Sequence, residues 1–184
     1  MTDTTISKTE RRKIEEVLVA QSASDGDGVR LKRVFGGGNL ARFDPFLMLD
    51  EFGSNDPSDY IGGFPSHPHR GFETVTYMLE GHMEHRDHMG NVGQLMAGDV
   101  QWMSAGHGIE HSEFNHSDAQ PVHFLQIWIQ PDRLNAVPAY GQAHFDPAAR
   151  RARWALLASP DGEAGSLAIR QQAWLRATRL HAED

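Results

Sequence analysis

The segment FETVTYMLEGHMEHRDHMGNVGQLMAGDVQWMSAGHGIEHSEFN, residues 72–115, is built of short alternating runs cut by turn residues. In its first run Phe72, Thr74, Thr76 and Met78 share one face, and Glu73, Val75, Tyr77 and Leu79 share the other. A period of two belongs to an extended chain, whose side chains point alternately to opposite sides. The polar run HMEHRDHMGN reads as a strand and a turn, and GQLMAGDVQWMSAGHGIEHSEFN as further strands parted by glycines. No part of the segment carries an apolar stripe at the helical period. Strands recurring about every ten residues between Gly, Asn, Asp or Pro predict an all-β sandwich or barrel.

The flanks follow the same pattern. VRLKRVFGGG (29–38) reads as a strand ending at glycines, FDPFLMLDEFG (43–53) as a buried strand, and VHFLQIWIQP (122–131) as another. Between them SNDPSDYIGGFPSHP (54–68) is a long loop of the kind that compact domains keep for function. RRKIEEVLVA (11–20) stays open: Ser7 and Glu10 suit a helix capping box, whereas Ile14, Val17, Leu18 and Val19 suit a strand. Residues 1–10 read as a disordered tail and 131–147 as a connector, with two or three more strands in RWALLASPDGEAGSLAIRQQAWLRATRL (153–180).

Composition narrows the chemistry. The chain has no cysteine, which excludes disulfides and thiolate ligands and leaves nitrogen and oxygen donors for any tight metal site. A formal charge of −8, without a basic run, argues against direct nucleic-acid binding. No apolar run is long enough to cross a bilayer, and the polar start MTDTTISKTERRK has no signal core, so a cytoplasmic location is expected. Ten of the eleven histidines fall between positions 67 and 144, a clustering that asks for a reason.

HPH supplies one. Residues two apart on a strand project to the same face, so His67 and His69 aim two imidazoles at one point, with Pro68 turned away. HSE places His111 and Glu113 in the same relation. On facing strands the two pairs offer three neutral nitrogens and one carboxylate, a set suited to one divalent first-row metal ion. Around an octahedral ion this set leaves two positions open, and around tetrahedral zinc it leaves none. Because neutral imidazole is the ligand, metal release below about pH 6 is expected. His82, His85 and His88 read as solvent-facing, His107 as a residue of the pocket mouth, and His116 and His123 as surface or satisfied strand residues. Trp102, Trp128, Phe124 and Ile127 read as barrel core.

FPSHPHRGFETVTYMLEG (64–81) and GDVQWMSAGHGIEHSEFN (98–115) resemble the two metal-binding segments of the pirin family, within the cupin superfamily. The resemblance implies a cupin-type double-stranded jelly-roll β-barrel with a short C-terminal strand extension. By position it implies metal ligands His67, His69, His111 and Glu113. Glu73, which aligns with a ligand of many other cupins, is demoted by the pirin pattern. Iron(II) is the first candidate metal, with manganese, nickel, copper and zinc left open. His107 stands where family members commonly have Arg or Thr. Since pirins carry two barrels, residues 11–135 are read as the metal-binding barrel and 136–184 as a connector and remnant of a second.

Two functions follow from the resemblance. One is a quercetin 2,3-dioxygenase-like enzyme opening a flavonol, with Glu113 both ligand and proton acceptor. The other is a non-enzymatic, iron-binding redox sensor that binds a transcription factor or metabolic enzyme. A pocket of roughly 300 Å³ or more favours the enzyme. Finally, Trp154, Leu156, Leu157, Leu167, Ile169, Trp174, Leu175 and Leu180 need burial. A barrel closed by its own strands leaves them little surface, so a homodimer joined through these tails is expected.

Overall fold

The computed structural model describes residues 13–38, 40–115, 117 and 119–180. The tail 1–10, with Ser7 and Glu10, lies outside them, as does His116. Residues 13–20 take neither of the forms left open for them: they make no helix or strand and are largely exposed.

Thirteen strands follow in chain order: β1 Gln21–Asp25, β2 Val29–Gly36, β3 Phe46–Ser54, β4 Phe64–His69, β5 Glu73–Asp87, β6 Val92–Met96, β7 Asp99–Ser104, β8 Ile109–Phe114, β9 Val122–Ile129, β10 Ala139–His144, β11 Ala155–Ser159, β12 Leu167–Ala168 and β13 Leu175–Ala177. The first ten form one curled antiparallel sheet along the path β1-β2-β3-β9-β5-β7-β10, with β6 and β8 on β5 and β4 on β8. β5 is the pivot. Its first half pairs with β7 and β9, and its second half with β6 and β8, which rolls the sheet into the expected jelly-roll barrel. The stretch read as a connector contains β10, which pairs with β7 from Ala139–Ser104 to His144–Asp99.

Alternation explains the barrel interior. Val29 and Leu31 point inward from β2, and with Phe52, Met78, Leu95 and Phe124 they form one buried cluster. The first half of β5 departs from half-burial, since all of Glu73–Met78 is buried. Its Val75 and Tyr77 face out of the barrel, against a second cluster holding Val100, Trp102, Ile127 and Ile129.

That outer face is where the C-terminal segment packs. β11, β12 and β13 make a separate three-stranded sheet, and Leu157, Ala158, Ile169 and Ala173 are buried against the barrel residues of the second cluster. The expectation that a closed barrel leaves little surface for a fold-back is therefore corrected. One barrel face is apolar on its outside, and the tail covers it. Trp154, Trp174 and Leu180 remain exposed, at 70%, 45% and 70%. No helix among the described residues is long and apolar enough to cross a membrane.

Candidate metal centre

Strand register assembles the centre. β8 runs between β4 and β5, with His111 opposite His67 on one side and Asp87 on the other. Glu113 stands opposite Phe64 and His85 in the same way. Partners directly across a sheet share a face. HPH, HSE and His85-Arg86-Asp87 thus lay three same-face pairs side by side.

Ligand atoms of His67, His69 and His111 all lie within 4.8 Å of one another, and so do those of His85, His111 and Glu113. The ring centroids of His67 and His111 are 4.4 Å apart, and those of His69 and His111 4.9 Å. His67 Nδ1 is 2.8 Å from the Pro65 carbonyl, which only accepts, so the proton sits on Nδ1 and Nε2 keeps its lone pair. That Nε2 lies 3.0 Å from His69 Nε2. His111 is 1% exposed, and its buried Nε2 has no hydrogen-bond partner among the described residues. Lone pairs converging on one point, one of them buried without a donor, fit a cation.

The electrostatics agree. Burial, then His111 and His67, pushes His69 down to about 3. Burial, then His67 and His85, pushes His111 down to about 3 as well. Both rings are therefore neutral across the physiological range, the form that ligates a metal. In the folded protein these two rings therefore resist protons well below the ordinary imidazole range. Burial raises the pKa of Glu113, with His85, His67 and the Gln101 amide pulling the other way. Gln101 Nε2 donates to Glu113 Oε1 at 3.1 Å.

The cluster opens into a cavity of about 490 Å³ lined by His67, His69, Glu113, Phe52, Phe64, Phe124 and Trp128 together with Asp50 and Gln126. Trp128 stacks on Phe72 at 4.3 Å and meets the His69 ring edge-on at 5.4 Å. Trp128 is thus a half-buried wall of the cavity rather than barrel core. Trp102 and Ile127 are buried under the tail, and Phe124 does sit in the interior cluster.

Three further expectations resolve. His85 is not solvent-facing: it is fully buried, and its Nδ1 lies 3.4 Å from His111 Nδ1. The signal was its i, i+2 relation to Asp87, the same spacing as in the ligand pairs. His107 is exposed and does not line the cavity. Glu73 lies away from the cluster and accepts from Trp102 Nε1 and from the Arg170 backbone N–H, both at 3.0 Å.

The family model described as Pirin matches residues 28–129, over half of the chain. The chain belongs to the pirin family. The model described as the quercetinase C-terminal cupin domain matches residues 156–184. Among curated pirin relatives, one from Pseudomonas aeruginosa named "Putative quercetin 2,3-dioxygenase" is 52% identical over 76% of this chain and 49% of its own length. Rat Pirin is 47% identical over 66% of this chain and 40% of its own. This chain thus spans about half the length of such relatives. Among solved structures, the nickel(II) complex of the bacterial pirin YhhW from Escherichia coli has a TM-score of 0.71. It is 34% identical, covering 86% of this chain and 67% of that one. The fold is accordingly the cupin barrel of the pirins.

Proposed function

We propose that the chain holds one divalent first-row metal ion on His67, His69, His111 and Glu113. We further propose that it is the metal-bearing barrel of a cytoplasmic flavonol dioxygenase of the quercetin 2,3-dioxygenase type. One observation carries this reading: His67, His69 and Glu113 line an aromatic cavity of about 490 Å³, within the range of small-molecule sites, and His111 clusters with the histidine pair on one side and with Glu113 on the other. The names of the Pseudomonas relative and of the nickel-bound bacterial pirin support it. Iron(II) leads, followed by manganese and nickel, then copper and zinc. In this reading residues 11–135 together with β10 form the metal-binding barrel, and the rest of 136–184 is a connector and part of a second cupin unit.

When bound, the metal supplies Lewis acidity and a meeting place for the substrate oxygen and dioxygen. The protein's own groups do the rest. The Pro65 carbonyl holds His67 with its lone pair inward. Trp128, backed by Phe72, offers a flat wall for an aromatic ring, and Phe52, Phe64 and Phe124 keep water out. Gln101 engages Oε1 of Glu113, so Oε2 takes the proton from the substrate hydroxyl, helped by a carboxyl whose pKa burial has raised.

Oxygen uptake and carbon monoxide release with quercetin test the proposal. Iron(II), manganese or nickel should support both, and zinc neither. Iron-loaded protein that is inert toward flavonols refutes the enzyme. A second reading draws on exposed Trp154, Trp174 and Leu180, which offer apolar surface to a protein partner or a second copy. Inert protein that binds a partner differently in its two iron oxidation states would make the regulator the better account.

A further inference from the structure

Behind the proposed ligand His111 lies a buried chain of polar groups that the proposed chemistry does not use. Asp87 anchors it. Its Oδ1 accepts the backbone N–H groups of Met89 and Asn91, each at 3.0 Å, and its Oδ2 accepts Asn91 Nδ2 at 2.7 Å. Four residues of turn thereby fix the carboxylate at the end of β5. His85 Nε2 faces Oδ2 at 3.5 Å, with both side chains fully buried. The His85 ring stacks on Tyr140, centroids 4.8 Å apart and planes 26° from parallel. Its other nitrogen, Nδ1, lies 3.4 Å from His111 Nδ1.

We propose that Asp87 and His85 form a positioning relay that sets the tautomer of His111 and so presents its Nε2 lone pair to the metal. A carboxylate only accepts, so the group it faces, His85 Nε2, carries the hydrogen. His85 Nδ1 is then a lone pair. Two facing lone pairs repel in a buried site, so His111 carries its hydrogen on Nδ1 and gives it to His85. That leaves His111 Nε2 as the ligand nitrogen, a buried atom without a hydrogen-bond partner among the described residues; His85 Nε2 has none either, its link to Asp87 being a 3.5 Å charge contact. The arrangement extends the carboxylate–histidine–metal pattern, in which a second group orients the ligand ring and raises its basicity. Both contacts are long for hydrogen bonds, so the relay sets direction and tautomer more than it adds stability.

The inference rests on His111 being a ligand, and its test separates the two claims. Long-range proton–nitrogen NMR on metal-free, histidine-labelled protein reads the tautomer without any metal. His111 is expected in the Nδ1–H form in the unmodified chain and in mixed forms in His85→Phe, which keeps a ring against Tyr140 but offers no nitrogen. Nickel(II) affinity, measured against a chelating dye, should weaken about 10- to 100-fold in His85→Phe. Much of it should return in His85→Gln, whose side-chain oxygen again accepts from Nδ1. Near-ultraviolet circular dichroism unchanged in both variants establishes that the fold is retained. An Nε2–H His111 in the unmodified chain, or unaltered nickel affinity in a folded His85→Phe, overturns the relay. So does a second nickel ion per chain that disappears with His85, since His85, His111 and Glu113 are then ligands to an inner ion. An Nδ1–H His111 in a chain that binds no nickel supports the relay and refutes the ligand set.

Discussion

Acid should weaken the metal-free protein before it protonates the centre. His111 is held at about 3 in the folded chain, against an ordinary value of 6.5. Its folded pKa is lowered, so the unfolded chain takes up the proton first, and stability falls as pH drops from about 6.5 toward 3. Each pKa unit is worth about 1.36 kcal/mol, so between pH 6.5 and pH 5 the loss from His111 is about 2 kcal/mol. His69 carries a shift of the same sign, but its ring is half-exposed, and solvent screening reduces its share. Glu113 works in the opposite direction, since a raised carboxyl pKa adds stability as pH falls. For a chain of this size about 2 kcal/mol corresponds to a melting shift of roughly 4–8 °C. Urea midpoints at pH 7 and pH 5, at constant slope, give the quantity directly. His111→Gln cannot titrate and should lose most of the His111 part of the difference. The reasoning fails if the unmodified protein and His111→Gln change by the same amount between the two pH values.

Replacing His67, His69, His111 or Glu113 by Ala should each lower the bound metal, measured by elemental analysis, and abolish oxygenase activity. His82→Ala, whose ring contacts Gln120, should do neither. Glu73→Ala strands one buried and one part-buried donor and should cost about 1–3 kcal/mol in urea unfolding. Metal content should be untouched, and loss of metal would place Glu73 among the ligands after all. Leu157→Ala, at a site with no exposure under the barrel face, should cost about 2–5 kcal/mol, and a cost below 1 kcal/mol would mean that the tail is not docked. With Trp154, Trp174 and Leu180 exposed, light scattering at micromolar concentration should give about twice 20.5 kDa, and a monomer would refute the dimer.

The fold and the two same-face pairs, His67 with His69 and His111 with Glu113, were readable because both rest on a spacing of two. Alternation in FETVTYMLEG marks the strand, and the same alternation brings His67 onto the face of His69 and His111 onto the face of Glu113. What pairs with what is a matter of register, and register is written in contacts far apart in the chain. That is why His111 opposite both His67 and Asp87 appears only in the structure. His85 was misread because polar strands are ordinarily assigned to solvent. Here the polar face of β5 turns inward, since the interior at that end is a site for ionic chemistry rather than an apolar core. The opposite error befell the tail. Val75, Tyr77, Trp102, Ile127 and Ile129 lie on the side of their strands that a closed barrel would leave wet, and all are apolar. A strand apolar on both faces has to be covered twice. The rows containing Val75 and Tyr77, and Ile127 and Ile129, therefore already called for a cover, and Leu157, Ala158 and Ile169 provide it. In this chain polarity told which faces were special, but not which side of the sheet they occupied. Only the pairing of β5 with β7, β8 and β9 turned one face toward the histidine cluster and the other toward the tail.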